Sequence, residues 1–286
     1  MNERLSVRNL SVRFASRSGE VSCPVKDVSF DVPAGTTLGI VGETGSGKTM
    51  TAMAIMGLLP RGAHAEGTVL LDGVDLLGLP DKERAAYRGR DLAFVFQNAG
   101  TAFNPCFTVG WQLAQVVRRH SDASRREARA VVLERLGEVG LTDPRRAANS
   151  YPHELSGGML QRCMIAMALV TSPRLLILDE PTTALDVSVA QQVLRLILEL
   201  QERMHLTAIH ISHNLGVIGD VCDSVAVMYA GEVVEHGPAD RVLASPDHPY
   251  TRGLLDALPG NVEPGQRLTP YRHPEPVGPV AAGGLA

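Results

Sequence analysis

The chain has 286 residues, enough to bury a substantial core without disulfide or metal staples. Hydrophobic residues make up 44% and charged residues 20%, which excludes wholesale disorder, and aromatics at 4% argue against a stacking platform for single-stranded nucleic acid. A formal charge of −4 argues against any nucleic-acid partner, and the cysteines Cys23, Cys106, Cys163 and Cys222, with no CxxC pair, read as reduced cytosolic thiols rather than a zinc site.

The opening MNERLSVRNL lacks the apolar core of a signal peptide, and no run reaches the roughly 18 apolar residues of a membrane span. A soluble cytoplasmic chain is therefore expected, which leaves docking on a membrane partner open. LSVRNLSVRF and VKDVSFDV alternate in character and predict two strands, with SRSGE as the turn between them. TLGIV is a short apolar run of the kind buried on both faces of a parallel sheet, and it leads through GETGSGKT into the helix-like TMTAMAIMGLL. From about 100 to 172 only helical spacing is found, as in WQLAQVVRRH and REARAVVLERLGEVG, so a helical insertion is expected there. LLILD and TAIHIS then predict buried strands, VAQQVLRLILELQERM an amphipathic helix, SVAVMYAGEVVEHG two strands about a glycine turn, and HPYTRGLLDAL a closing helix. A Pro/Gly-rich tail over 259–286 is expected to build no core of its own.

GETGSGKT supplies Gly42, Glu43, Thr44, Gly45, Ser46, Gly47, Lys48 and Thr49 in the spacing G-x-x-x-x-G-K-[ST]. The glycines let backbone N–H groups curl toward phosphate oxygens. Lys48 can reach the outer phosphates, and the Thr49 hydroxyl can ligate Mg²⁺. LLILDE is an apolar strand ending in two carboxylates. Beside a phosphate loop, Asp179 reads as a Mg²⁺ holder and Glu180 as the group that polarises attacking water.

Further along the chain, Gln97 follows LAFVF, LSGG lies within HELSGGMLQR, TTALD spans 182–186 and His213 follows TAIHIS. Phosphate loop, glutamine, LSGG, LLILDE, TTALD and histidine in this order resemble the ATP-binding subunit of an ABC transporter, over about residues 5–258. FQNAGTAFNP, YPHELSGGMLQRCMIAMALV, DEPTTALDVSV and HPYTRGLLDALP narrow the resemblance to the oligopeptide/dipeptide importer branch, which also contains nickel and other chelate importers.

The resemblance implies an α/β fold: a P-loop NTPase core of RecA-like type, with an N-terminal antiparallel β subdomain and a helical insertion. By position it implies that Phe14 stacks on adenine and that Gln97 touches Mg²⁺ and links the site to the insertion. It further implies that Ser156, Gly157 and Gly158 contact the γ-phosphate bound by a second subunit, that Asp186 lies at the dimer interface, and that His213 bonds the γ-phosphate and orients Glu180. The implied cofactors are ATP and Mg²⁺. The implied partners are a second ATPase subunit (by preference a paralogue, giving a heterodimer), two transmembrane permease subunits and an extracytoplasmic solute-binding protein. The place is the cytoplasmic face of the inner membrane, peripherally. Relatives often carry a cysteine-rich tail proposed to hold an iron–sulfur cluster; no cysteine follows Cys222 here, so no cluster is expected. Long coiled-coil insertions of chromosome ATPases and the double cassettes of translation-associated relatives do not match this chain.

Overall fold

A computed structural model describes residues 3–15 and 21–257; the expected tail over 259–286 and the turn SRSGE lie outside them. The chain begins with two long strands, β1 (Glu3–Ala15) and β2 (Val21–Pro33), followed by β3 (Thr37–Val41) and α1 (Lys48–Met56). Next come β4 (Ala63–Leu71), β5 (Val74–Asp75), α2 (Asp81–Tyr87) and β6 (Leu92–Val95). A wholly helical stretch holds α3 (Ala99–Ala102), α4 (Val109–His120), α5 (Arg125–Glu138), α6 (Pro144–Asn149), a 3₁₀ turn (Pro152–Glu154) and α7 (Gly157–Leu169). Alternation resumes with β7 (Leu175–Asp179), α8 (Val187–Met204), β8 (Thr207–Ser212), α9 (Leu215–Val221), β9 (Ser224–Tyr229) and β10 (Glu232–Pro238). Two short helices, α10 (Ala239–Ala244) and α11 (Pro249–Asp256), close the described chain.

These strands form two sheets. The first is antiparallel, in the order β2-β1-β4-β5; the second runs β10-β9-β3-β8-β7-β6, parallel except for the edge strand β10. Every residue of β3, β7 and β8 is buried, which is why those segments read as unbroken apolar runs rather than alternating ones. One core lies between the sheets and holds Leu5, Val12, Phe30, Ile40, Ile55, Ile177 and Ile211. A second, on the other face of the parallel sheet, joins it to the helical stretch through Leu113, Val132, Leu136, Met164, Leu178 and Leu196.

The structure adds a strand that periodicity does not reveal. AHAEGTVLL forms β4, the inner partner of β1, although most of its side chains are at least partly exposed and Gly67 interrupts it. Gly67 sits at φ +110, and a Cβ there would fall 2.5 Å from the Asn9 carbonyl oxygen, beside the shift in the β1–β4 register. Glycine lets two backbones approach at that irregularity. Inside the helical stretch, polar caps mark where helices start. Ser124 and Glu127 form a reciprocal capping box at α5, and Asp143 caps α6 ahead of Pro144.

Candidate functional site

Four neighbouring parallel strands end level with one another. Val41 of β3 pairs with Ser212 of β8, Ile211 of β8 with Asp179 of β7, and Leu178 of β7 with Val95 of β6. The loops leaving those ends are GETGSGKT, Ser212–His213, Asp179–Glu180 and Phe96–Gln97, so one edge of the sheet gathers residues more than 170 positions apart. Ligands of open α/β sheets bind at this carboxyl edge.

The first loop can only be built with glycine at its ends. Gly42 has φ +153 and a Cβ there would fall on the Met228 carbonyl; Gly47 has φ +105 and a Cβ there would fall on the Pro24 carbonyl. Gly47 is also the N-cap of α1, and no side chain caps that helix, so its first-turn N–H groups face the loop. A helix N-terminus of this kind attracts a phosphate. Ser46 is buried and its hydroxyl has no partner, a second sign that the cradle is built around an absent polar group.

Lys48 is 5% exposed and donates to the carbonyls of Gly42 at 2.8 Å and Glu43 at 2.9 Å. Burial pushes its ammonium pKa below the usual lysine range, against the opposing pull of the Glu180, Asp179 and Glu43 carboxylates. Asp179 is also buried. Loss of water raises its pKa and the neighbouring Glu180 adds to that, while the Thr49 hydroxyl, donating at 3.2 Å, works the other way. A hydroxyl beside a carboxylate is a pair of hard oxygen donors that suits Mg²⁺.

Glu180 stands one residue beyond β7 with φ +47, a left-handed conformation that is unusual for glutamate and costs of order 1–3 kcal/mol. Its N–H donates to the Ile211 carbonyl at 3.0 Å, which holds the turned backbone in place. Three groups converge on a single carboxylate oxygen, Oε2. The Gln97 amide donates at 3.1 Å, the Thr183 hydroxyl donates at 2.9 Å, and His213 Nδ1 lies 3.2 Å away. None of those contacts is made to Oε1, which leaves that oxygen free to accept from a water. A carboxylate gripped by one oxygen and offering the other is the arrangement of a positioned base.

The phosphate loop (Walker A) is tied to Asp179 through Thr49, and Glu180 with Gln97 and His213 forms a second bonded group beside it. Gln97 is bonded to Glu180 and not to the Thr49–Asp179 pair. Thr183, inside TTALD, is a functional candidate that motif reading did not single out; its position three residues after Glu180 was the available signal. Tyr250 is another, since its hydroxyl accepts the Glu43 N–H at 3.0 Å.

The remaining candidates sit apart from the bonded cluster. In the LSGG signature loop, Ser156 caps α7, accepting from the Met159 N–H at 3.3 Å, while Gly157 lies against Leu185, just before α8, and Gly158 against Val189 in its first turn. Asp186 caps α8 through the Val189 N–H at 3.0 Å. Phe14, near the end of β1, is half-buried against the core between the sheets.

The ABC transporter family model matches residues 25–183, and the model described as the oligopeptide/dipeptide transporter C-terminal region matches residues 234–280. The dipeptide transport ATP-binding protein DppD of Bacillus subtilis is 46% identical over 94% of this chain and 81% of its own length. The oligopeptide transport ATP-binding protein OppD of Haemophilus influenzae is 45% identical over 92% and 82%. Among solved structures, the dimeric post-hydrolysis state of the ATP-binding cassette MJ0796 bound to ADP and Pi superposes with a TM-score of 0.72 at 27% identity, covering 82% of this chain and 98% of that one. The cassette cbiO1 of Clostridium perfringens gives 0.71 at 25%, covering 86% and 92%.

Proposed function

The chain belongs to the ABC transporter family, and from that membership we propose that it is the ATP-hydrolysing subunit of a peptide importer. The observation that carries the reading is the grip on Glu180 Oε2 by Gln97, Thr183 and His213, because it equips the phosphate loop with a base aimed at a single point.

In this reading the N–H groups of the Walker A loop and α1 bind the ATP phosphates, and Lys48 exchanges its two carbonyl partners for β- and γ-phosphate oxygens. Thr49 and Asp179, with Gln97 nearby, would hold a magnesium ion, which supplies charge neutralisation between the phosphates. Glu180 accepts a proton from the attacking water through Oε1 while Oε2 stays anchored. His213, through its remaining ring nitrogen, reaches the γ-phosphate and so reports its presence to Glu180. Phe14 stacks on the adenine. Ser156, Gly157 and Gly158 complete the site of a second ATPase subunit, and Asp186 lies where the two subunits meet. That subunit is by preference a paralogue.

Only contacts that differ between the ATP and ADP states can do mechanical work, so the signature loop and His213 are the parts through which hydrolysis would move a permease. No helix among the described residues is long and apolar enough to cross a membrane, and the proposed location is peripheral, on two permease subunits at the cytoplasmic face. An extracytoplasmic binding protein would deliver the cargo. The DppD and OppD relatives are dipeptide and oligopeptide transport proteins by name, and the family match at residues 234–280 has the same character, which favours peptide over a nickel chelate. The test is uptake by the purified complex in proteoliposomes. ATP-dependent entry of labelled di- or oligopeptides is expected; stimulation by a nickel chelate and by no peptide would reassign the cargo.

A further inference from the structure

The last helix of the described chain reaches the phosphate loop through Tyr250. Tyr250, in the first turn of α11, is fully buried, and its hydroxyl accepts the Glu43 N–H at 3.0 Å. That N–H belongs to the peptide unit linking Gly42 to Glu43. The carbonyl of the same unit, Gly42 O, accepts from Lys48 Nζ at 2.8 Å. One peptide plane is therefore held from its two ends, by the tyrosine on the N–H side and by the lysine on the oxygen side.

The tyrosine is itself fixed. Its ring packs against Tyr229 with centroids 4.5 Å apart, in an apolar cluster with Val41, Ile218, Val227 and Val242. The start of α11 is anchored by Glu235, whose carboxylate accepts the N–H groups of Asp247 at 2.8 Å and His248 at 3.1 Å. The neighbouring hairpin reaches the same loop, with the Gly231 N–H donating to Ser46 O at 3.1 Å.

We propose that Tyr250 is a positioning residue for the Walker A lysine: by holding the Gly42–Glu43 peptide it keeps the loop, and with it the resting place of the Lys48 amine, in the shape that receives a nucleotide phosphate. This makes α11 part of the nucleotide site without giving it a place among the groups proposed to bind the phosphates. The proposal rests on the reading of GETGSGKT as an ATP phosphate loop.

Tyr250→Phe keeps the ring in its cluster and deletes the hydroxyl. In the full chain, affinity for a fluorescent, non-hydrolysable ATP analogue should fall about 2- to 12-fold, the range spanned by one neutral hydrogen bond. In the assembled transporter KM for ATP should rise by a similar factor, with kcat within about twofold because Glu180 is untouched. Glu235→Gln is the comparison: it loosens the anchor of the same helix, should lower the melting temperature, and should leave nucleotide affinity within about twofold. Unchanged affinity in Tyr250→Phe overturns the proposal, and so does an equal loss in Glu235→Gln, which would reduce Tyr250 to a packing residue. Hydrogen exchange gives a reading without any variant: the Glu43 amide of the wild-type chain should exchange slowly, and free exchange there overturns the bond itself. Lys48→Ala guards the premise. Wild-type affinity in that variant would overturn the phosphate-loop reading and the proposal with it.

Discussion

The phosphate cradle and the signature loop are both glycine-rich turns that open a helix, yet they are finished to different degrees. At the cradle, residues from four strand ends meet: Lys48 is spent on Gly42 and Glu43, Thr49 on Asp179, and Gln97, Thr183 and His213 on one oxygen of Glu180. At the signature loop, Ser156 bonds the first turn of its own helix, and its glycines rest against Leu185 and Val189. The difference follows from architecture. A parallel sheet brings the carboxyl ends of its strands together whatever their distance in sequence, whereas a helical insertion hung from one edge presents its loop outward. The cradle's bonds close within one chain; in the function proposed above, the signature loop serves a partner's phosphate instead. This contrast can be broken or sharpened by substitution.

The largest effect is expected inside the cradle. Glu180→Gln preserves size and the capacity to bond Gln97 and Thr183 but removes the proton acceptor, so hydrolysis should fall roughly 10²–10⁴-fold. ATP binding should persist, and equilibrium binding beside steady-state turnover measures both at once. Near-normal turnover would mean the proton leaves by another route, with His213 the next group to test. Lys48→Ala should act on binding instead. A hydrogen bond to a charged group contributes about 1.5–3 kcal/mol, so affinity should drop roughly 10- to 150-fold, as read by isothermal titration with an ATP analogue.

The signature loop should answer the other way round. Ser156→Arg places a long side chain at the outward-facing cap of α7 without reaching Walker A of the same chain. The isolated subunit should then bind nucleotide within about twofold of wild type, while ATP turnover of the assembled transporter falls at least about tenfold, a loss of 1.4 kcal/mol or more. If the isolated subunit loses binding equally, the signature loop and the cradle are not independent.

The same contrast explains what could be read without coordinates. TLGIV, LLILD and TAIHIS announce themselves because strands buried on both faces admit little but apolar residues, and the residues that follow them are therefore locatable in space. β4 is not legible in this way. Its sequence AHAEGTVLL follows no clean alternation, since much of it faces solvent and pairing with β1 does the work that burial does elsewhere. Nor does the sequence reveal that Glu180 leaves the strand in a left-handed turn; strand alternation would send it opposite Asp179, and φ +47 redirects it toward Gln97 and His213. Tyr250 escapes for a third reason. Its partner, Glu43, lies 207 positions away and offers a backbone N–H, which no residue type advertises.

The smallest effect tests the residue that sequence patterns pass over. Thr183 donates to the same Glu180 oxygen as Gln97, at 2.9 Å, from a loop that already bends back on Glu180 through the Thr183 N–H to the Glu180 carbonyl at 3.3 Å. Thr183→Val keeps the branched shape and removes only the hydroxyl. If Oε2 is the anchored oxygen and Oε1 the basic one, losing one of three anchors should let the carboxylate rotate and spread proton acceptance over two orientations. The cost is that of one hydrogen bond, about 0.5–1.5 kcal/mol, or a drop in kcat of roughly 2- to 12-fold. KM for ATP should stay within twofold, because the phosphates are held by groups Thr183 does not touch. A rise in KM with kcat intact would place Thr183 in binding, and with it weaken the division of one carboxylate into a handle and a base. Combining Thr183→Val with Glu180→Gln decides between these outcomes. Once the base is gone its anchor has nothing left to position, so the double variant should be no slower than Glu180→Gln alone; an additive loss would show that the threonine acts elsewhere.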